Sequence, residues 1–429
     1  MMKRRYKTRF GAELEQDGVR FRLWAPQAGA VALRLEGGSA DLPMQKAFDG
    51  SFSLITREAR AGTRYRYVVD GNPYPDPASR RQPDGVHGPS EVVDPYAYDW
   101  SDQNWPGRLW LEVVVYELHL GTFSQSGDFA GAVRHLDYLR RLGVTAIELM
   151  PIAEFPGARN WGYDGAFLYA PSSRYGRPEE LKALVEAAHS RGLAVLLDVV
   201  YNHFGPEGNY LPAVAPDFFT ERHRTLWGAA IDFDGPRSRA VRDFFIDNAL
   251  YWLEEYHFDG LRFDAVHAIF DDNAPDIIDE IGDAVRRAMP SREIHLVLEN
   301  DRNEARRLTR RNGRPERFTA QWNDDLHHIL HVLITGDTAG YFGDYASDPA
   351  GLLGRALADG FAYQGEASPF RNGEPRGGPS AALPPTAFVA FLQNHDQVGN
   401  HPFGTRLAAR ASEAALHAGL VIVMLSPQI

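Results

Sequence analysis

The sequence predicts a multidomain fold: an N-terminal β-sandwich, immunoglobulin-like in type, followed by a (β/α)₈ barrel. Three observations carry this reading. The first hundred residues hold short runs that alternate apolar and polar side chains, the mark of half-buried strands in a sandwich. After Trp105, apolar strands alternate with amphipathic helices, and strict βαβα order implies a parallel sheet with helices outside. Several of those apolar runs stop abruptly at a charged residue, as buried parallel strands do when they emerge at their carboxyl ends. Domain limits are expected at residues 1–100 and 101–429.

The sandwich strands are expected in VRFRLWAP, AVALRLEG, SFSLI and TRYRYVVDG, separated by Gly, Pro and Asp turns. A connector follows, GNPYPDPASRRQPDGVHGPSEVVDP, too rich in Pro and Gly for a strand or helix. Seven barrel strands are expected in VVVYELHL, TAIELMP, AVLLDVVYNH, GLRFDA, HLVLEN, FTAQWND and FVAFLQNHD. In the helix DFAGAVRHLDYLRRLG, Phe129, Val133, Leu136 and Leu139 share one face, and Gly143 is the stop. RPEELKALVEAAHSRGL opens with Pro178, suited to a first helical turn. SRAVRDFFIDNALYWLEEY continues the alternation. After the helix-like RLAARASEAALHAGLVIVMLSPQI, Ile429 falls where an eighth strand begins, so the barrel is expected to be truncated before that strand.

Composition narrows the partners. A net charge of −12 disfavours nucleic acid and anionic membranes. The one basic cluster, RRLTRRNGRPER, reads as a solvated loop face. With no cysteine there is no disulfide, thiolate metal site or catalytic thiol. The basic N-terminus, MMKRRYKTRFGAELEQ, lacks the apolar stretch of a signal peptide, and no run of about 18 apolar residues is present for a membrane span. The default location is cytoplasmic. No Gly-rich phosphate loop occurs, which removes kinase and dinucleotide readings.

The chemistry concentrates at strand ends. Asp264 ends the apolar run in DGLRFDAVHA, Glu299 ends that in HLVLEND, and Asp396 lies in FVAFLQNHDQVGN. Two carboxylates flanking a bond are the minimal equipment for glycoside hydrolysis. Arg262 and Asp264 lie two apart on a strand and share a face, so the cation keeps that carboxylate ionised, as a nucleophile requires. Glu299 follows the apolar LVL, and burial there would raise its pKa, as a general acid requires. The bland alternative is an Arg–Asp ion pair beside a buried, hydrogen-bonded Glu. His203, His267 and His395 also lie just past strand ends, but no HxH or HExxH pair occurs, so no metal is expected. Trp161, Tyr163, Tyr201, Tyr210, Trp227, Trp322 and Phe342 gather in the loops. Flat aromatic faces pack on sugar rings, although half or more of these could be core.

DVVYNH (opening with Asp198), GLRFDAVH, VLEND and FLQNHD resemble, in order and spacing, the four sequence regions of the α-amylase superfamily. RFDAVHAI, YNHFGPEGNYL, LVLENDRN, QWNDDLHH and FLQNHDQVGN resemble more narrowly the malto-oligosyltrehalose trehalohydrolases. The resemblance implies a retaining glycosidase that cuts the α-1,4 bond beside a terminal trehalose unit and releases trehalose. It implies Asp264 as nucleophile, Glu299 as acid/base and Asp396 as the carboxylate holding the ring hydroxyls. It implies contacts around the cleaved sugar at His203, Arg262 and His395, with Tyr163 stacking beneath it; Trp161, Asp198 and Trp322 are further candidate substrate contacts. On the trehalose side it implies His267, Asp324, Asp325, His327, His328, Gln397 and Asn400. No cofactor is implied, and malto-oligosyltrehalose synthase is the implied pathway neighbour. The alternatives are a glucan branching or debranching enzyme, and a non-catalytic carbohydrate-binding barrel.

Overall fold

The computed structural model describes residues 5–429. The chain packs as two compact units. One runs through Arg108 and adds Tyr116–Asp264 and Ala268–Ile294; the other comprises Leu109–Val115, Ala265–His267 and His295–Ile429.

The first unit begins with two antiparallel sheets. β1 (Gly11–Glu15), β2 (Gly18–Trp24), β3 (Val31–Leu35), β4 (Leu42–Pro43), β5 (Gln45–Lys46), β6 (Ser51–Thr56), β7 (Arg64–Val69), β8 (Asn72–Tyr74) and β9 (Ser90–Glu91) form them. The orders are β1-β2-β6-β5 and β4-β3-β7-β8, with β9 also on β7. In β2 the alternation is literal: Val19, Phe21 and Leu23 are buried while Arg20 and Arg22 turn outward. Phe21 meets Tyr65 of the facing sheet edge-on, with ring centroids 4.8 Å apart. Apolar faces of two sheets thus close on each other, which is a β-sandwich.

The same unit continues into parallel strands Val115–Leu118, Ala146–Leu149, Ala194–Val199 and Gly260–Phe263, adjacent in that order. Each is four to six residues long and mostly apolar. Helix Phe129–Leu142 starts on the Asp128 side chain and ends at Gly143, whose φ of 98° suits glycine. Phe129, Leu136 and Leu139 are buried, while Val133 is only partly so. Helix Pro178–His189 carries its proline in the first turn, and Ser238–Glu255 completes the expected set. A hairpin, Phe219–Thr225 with Gly228–Ile231, interrupts the third loop, a feature the strand–helix pattern did not announce.

Aromatic edges join sandwich to helix within this unit: Phe10 lies 5.6 Å from Phe244 and Trp24 5.5 Å from Phe218. Between them sits a buried charge cluster. Arg80 donates to Glu13 and lies 3.8 Å from Glu255, while Lys182 lies 3.5 Å from Glu255 on the other side. Both cations also sit over tyrosine faces, Tyr251 and Tyr256. Burial opposes the Arg80 charge, but Glu13 and Glu255 outweigh it and hold the guanidinium above its ordinary range.

The second unit holds parallel strands His295–Leu298, Ala320–Trp322 and Phe388–Val389, again adjacent in order. Helices Asp324–Thr335, Pro349–Asp359 and Glu413–Leu425 accompany them. Ile429 donates its N–H to Phe388 O at 3.0 Å and accepts from Ala390 N–H at 2.6 Å. The last residue is therefore already paired alongside the strand Phe388–Val389, at the position expected for the start of an eighth strand. No helix among the described residues is long and apolar enough to cross a membrane.

Two stability predictions follow from these buried groups. Removing one partner of a buried pair leaves an uncompensated charge, so Arg80→Met should cost about 3–5 kcal/mol in the first denaturation transition. A loss no larger than the roughly 0.5 kcal/mol of a surface change would contradict that role. His327 is fully enclosed, with Nδ1 2.7 Å from Leu392 O and its ring stacked on Phe391. Burial, then the neighbouring His331, pushes its pKa from 6.5 down to about 3. The unfolded chain takes up this proton near pH 6.5 and the folded chain only near 3, so stability is full above that window and falls with acid. Going from pH 7 to 5 should remove about 2 kcal/mol through this residue alone. His327→Asn, which keeps a donor for Leu392, should flatten the pH dependence of the denaturation midpoint by that amount; an unchanged slope would refute the assignment.

Candidate active site

The first unit gathers its polar groups where Ala194–Val199 and Gly260–Phe263 end. Register places Asp198 beside Arg262, and alternation then brings Asp264 to the same face as Arg262. Arg262 is 1% exposed, and its Nη1 donates to Asp198 Oδ2 and Asp264 Oδ1, both at 2.8 Å. Asn202 Nδ2 donates to the other Asp264 oxygen at 3.1 Å. Tyr163 completes the group by donating its hydroxyl to Asp198 at 2.7 Å. Burial, followed by the charge of Asp198, drives the Tyr163 phenol well above its ordinary range, so it stays a donor. It follows Gly162, whose φ of 103° brings the backbone so near Pro151 that a Cβ would lie 2.5 Å from the carbonyl oxygen.

His203 lies 2.9 Å from the Tyr163 carbonyl through Nε2 and 2.6 Å from Asn202 Oδ1 through Nδ1. Burial lowers its pKa, favouring the neutral ring. Trp227 stacks on it at 4.4 Å with planes 6° apart, while half of the indole remains exposed. Together with Phe204, Asn209 and Phe219 they line a cavity of about 420 Å³. Trp161 stands 49% exposed near His119. This aromatic, hydrogen-bonding surface, with Glu221 at its lining, is suited to a sugar.

The second unit carries the remaining carboxylates. Ala265, directly after Asp264 in the chain, adopts φ 40°, an uncommon conformation for a residue with a Cβ, and its N–H donates to Glu299 Oε2 at 2.8 Å. Glu299 keeps partial exposure at the end of His295–Leu298. Two residues on, Asp301 receives Arg371 at 2.6 Å and faces His267 Nδ1 at 3.6 Å. Asp324 opens helix Asp324–Thr335; it is partly open, yet deep enough that burial and then Glu299 push its carboxyl well above the ordinary range. Asp396 is 41% exposed with His395 Nε2 3.6 Å away, in a short helix capped by Asn394. Tyr341, 40% exposed, is raised by burial and then by Asp396 and Asp324. Its ring stands edge-on to Phe370, itself 55% exposed, at 6.0 Å.

Several expected substrate contacts are corrected. Asp325 is fully buried and saturated: it accepts from Tyr345 OH, Asn303 Nδ2 and the N–H groups of Ala362 and Tyr363, and pairs with Arg376 at 3.0 Å. Asp198 is 2% exposed and engaged with Arg262 and Tyr163. Trp322 is core, packed edge-on against Phe391 at 4.9 Å, and His327 is enclosed beside the same ring. Gln397 accepts from Asn394 N–H at 2.8 Å as half of a capping box. His328 stays partly open beside Tyr345 and Tyr341, and Asn400 is exposed. Tyr341, Phe370, Asp301 and Arg371, which the sequence reading did not single out, lie among these groups. The first two had no signal beyond being aromatic; Asp301 could have been found as the second acid of LEND. Among the described residues the one group with metal-type spacing is His223, Asp234 and Asp272, where Arg222 already bonds Asp234.

The family model for a carbohydrate-binding module of the isoamylase N-terminal type matches residues 9–97, and that for the catalytic domain of alpha amylase matches 78–226. A malto-oligosyltrehalose trehalohydrolase of Saccharolobus solfataricus is 42% identical over 98% of this chain and 73% of its own length. One from Arthrobacter ramosus is 41% identical over 95% and 71%. A crystal structure of a candidate alpha amylase from Salmonella typhimurium superposes with a TM-score of 0.96 at 49% identity, over 99% of this chain and 72% of that one. Shared across nearly the whole chain, these likenesses show that it is a glycoside hydrolase of the α-amylase superfamily and belongs to the malto-oligosyltrehalose trehalohydrolase family.

Proposed function

We propose that the protein hydrolyses the α-1,4 bond joining a malto-oligosaccharide to its terminal trehalose, releasing free trehalose by a retaining mechanism. An oligosaccharide is the substrate class, and the trehalose-capped form is the one its relatives are named for. The observation that carries the chemistry is the pair of differently held carboxylates. Asp264 lies against the Arg262 cation, while Glu299 accepts from the N–H of the very next residue. A carboxylate beside a fixed cation suits a nucleophile; one at a strand end with partial exposure is placed to exchange a proton with a departing group and with water.

In this scheme Asp264 attacks the anomeric carbon while Glu299 protonates the departing oxygen, and trehalose leaves. Water, deprotonated by Glu299, then releases the malto-oligosaccharide from Asp264. Asp396 holds ring hydroxyls, with His203, His395 and Tyr163 around the same sugar. Asp324, His267, His328 and Asn400 face the trehalose unit. The catalytic work belongs to residues 101–429, and the N-terminal sandwich is the carbohydrate-binding module, packed in one unit with the first barrel strands. No metal or cofactor takes part. The protein acts in the cytoplasm, downstream of a malto-oligosyltrehalose synthase.

With maltotriosyl trehalose the main products should be trehalose and maltotriose by chromatography. Glucose, or longer chains formed by transfer, would refute the assignment; the second outcome would favour the branching alternative. Glu299→Gln should slow this hydrolysis by roughly 10²–10⁴-fold. Near-normal turnover in that variant would remove Glu299 from the role.

A further inference from the structure

Asp344 has no place in the scheme above, yet both of its carboxylate oxygens are engaged by one short turn. It lies in the 3₁₀ segment Gly340–Tyr345 and is 8% exposed. Oδ2 accepts from the Ser368 hydroxyl, and Oδ1 accepts from Phe370 N–H at 2.8 Å. Ser368 in turn caps the 3₁₀ turn Pro369–Arg371. Tyr363 OH donates to the Asp344 carbonyl at 3.0 Å.

The two segments that Asp344 ties together carry the exposed aromatic edges, Tyr341 on one and Phe370 on the other. The residue after Phe370 is Arg371, which donates to Asp301, two residues beyond Glu299. Loop rings set 84° apart at 6.0 Å hold that angle only while both backbones are fixed. A buried carboxylate bonded to each backbone or cap is a means of fixing them.

We propose, resting on the function above, that Asp344 is a positioning residue for the trehalose side of the site. It sets the notch formed by Tyr341, Phe370 and Arg371, and so selects which glycosidic bond is cut. It touches no substrate itself. Trehalose joins two glucose rings through both anomeric carbons, a shape that rigidly held aromatic rings would distinguish from a linear glucan end better than loose ones.

The test compares two substrates in Asp344→Asn and Ser368→Ala. On maltotriosyl trehalose, both variants should raise KM and shift cleavage toward neighbouring bonds, by roughly tenfold in selectivity, since a misplacement of about 1 Å is enough for such losses. On α-maltosyl fluoride, whose leaving group uses no notch, turnover should stay within about twofold of the parent. An unchanged product pattern would overturn the proposal. So would an equal loss on both substrates, which would make Asp344 a residue of the fold alone. If Asp344→Asn does not fold, Ser368→Ala decides. Failure of the parent enzyme to release trehalose would instead refute the function proposed above.

Discussion

A cation enclosed by protein governs the geometry of the first unit. Arg262 sits on a strand between Asp198 and Asp264, with almost no surface in water. Leaving such a charge unpaired costs several kcal/mol, so both carboxylates must hold their places. From that requirement the rest follows: Asp198 fixes the Tyr163 hydroxyl, Asn202 takes the second oxygen of Asp264, and the backbone carbonyl of Tyr163 meets His203. Asp264 is therefore aimed by groups that are themselves aimed. Under the proposed mechanism, that kind of order would let Asp264 meet the anomeric carbon without reorganising at the moment of reaction.

The second unit meets the same demand with acceptors. Asp325 collects donors from chain positions as distant as Asn303 and Arg376, and Arg376 also donates to the carbonyl of Asp301. Long loops after parallel strands are costly to order, and a buried carboxylate that loses its donors is worse than none. The two facts combine to hold these loops in one arrangement. Neighbouring aspartates thus divide the work: Asp325 is spent on the scaffold, and Asp324 stays partly open beside Glu299 with a carboxyl pushed upward by burial.

Much of this was legible in the residues. The barrel strands lie within the apolar runs, and several of those runs end in charge because a parallel strand covered on both faces can expose a charged residue to water most cheaply at its end. The Arg262–Asp264 pairing followed from spacing alone, since residues two apart on a strand share a face. The sandwich was equally plain from β2, where arginine and apolar residues alternate. What the chain did not disclose were partnerships across loops. Trp322 and Tyr341 are both aromatic and both near acidic residues, yet one is core and the other exposed; only packing against Phe391 separates them. Asp324 and Asp325 are chemically identical, and a turn of about 100° around a helix sends one inward and leaves the other open. The strained Ala265, which turns its N–H toward Glu299, carries no signal at all, because alanine is not the residue that such a φ selects.

Trapping the covalent intermediate bears most directly on this division of labour. Glu299→Gln should be treated with a maltosyl fluoride fluorinated beside its anomeric carbon, then digested and sequenced by mass spectrometry. Fluoride needs no proton to depart, so the sugar should load and remain, and its mass should fall on the peptide carrying Asp264. A label on any other carboxylate, or steady release of the β-anomer with no label formed, would contradict the assignment of Asp264 as the group that Arg262 holds for attack.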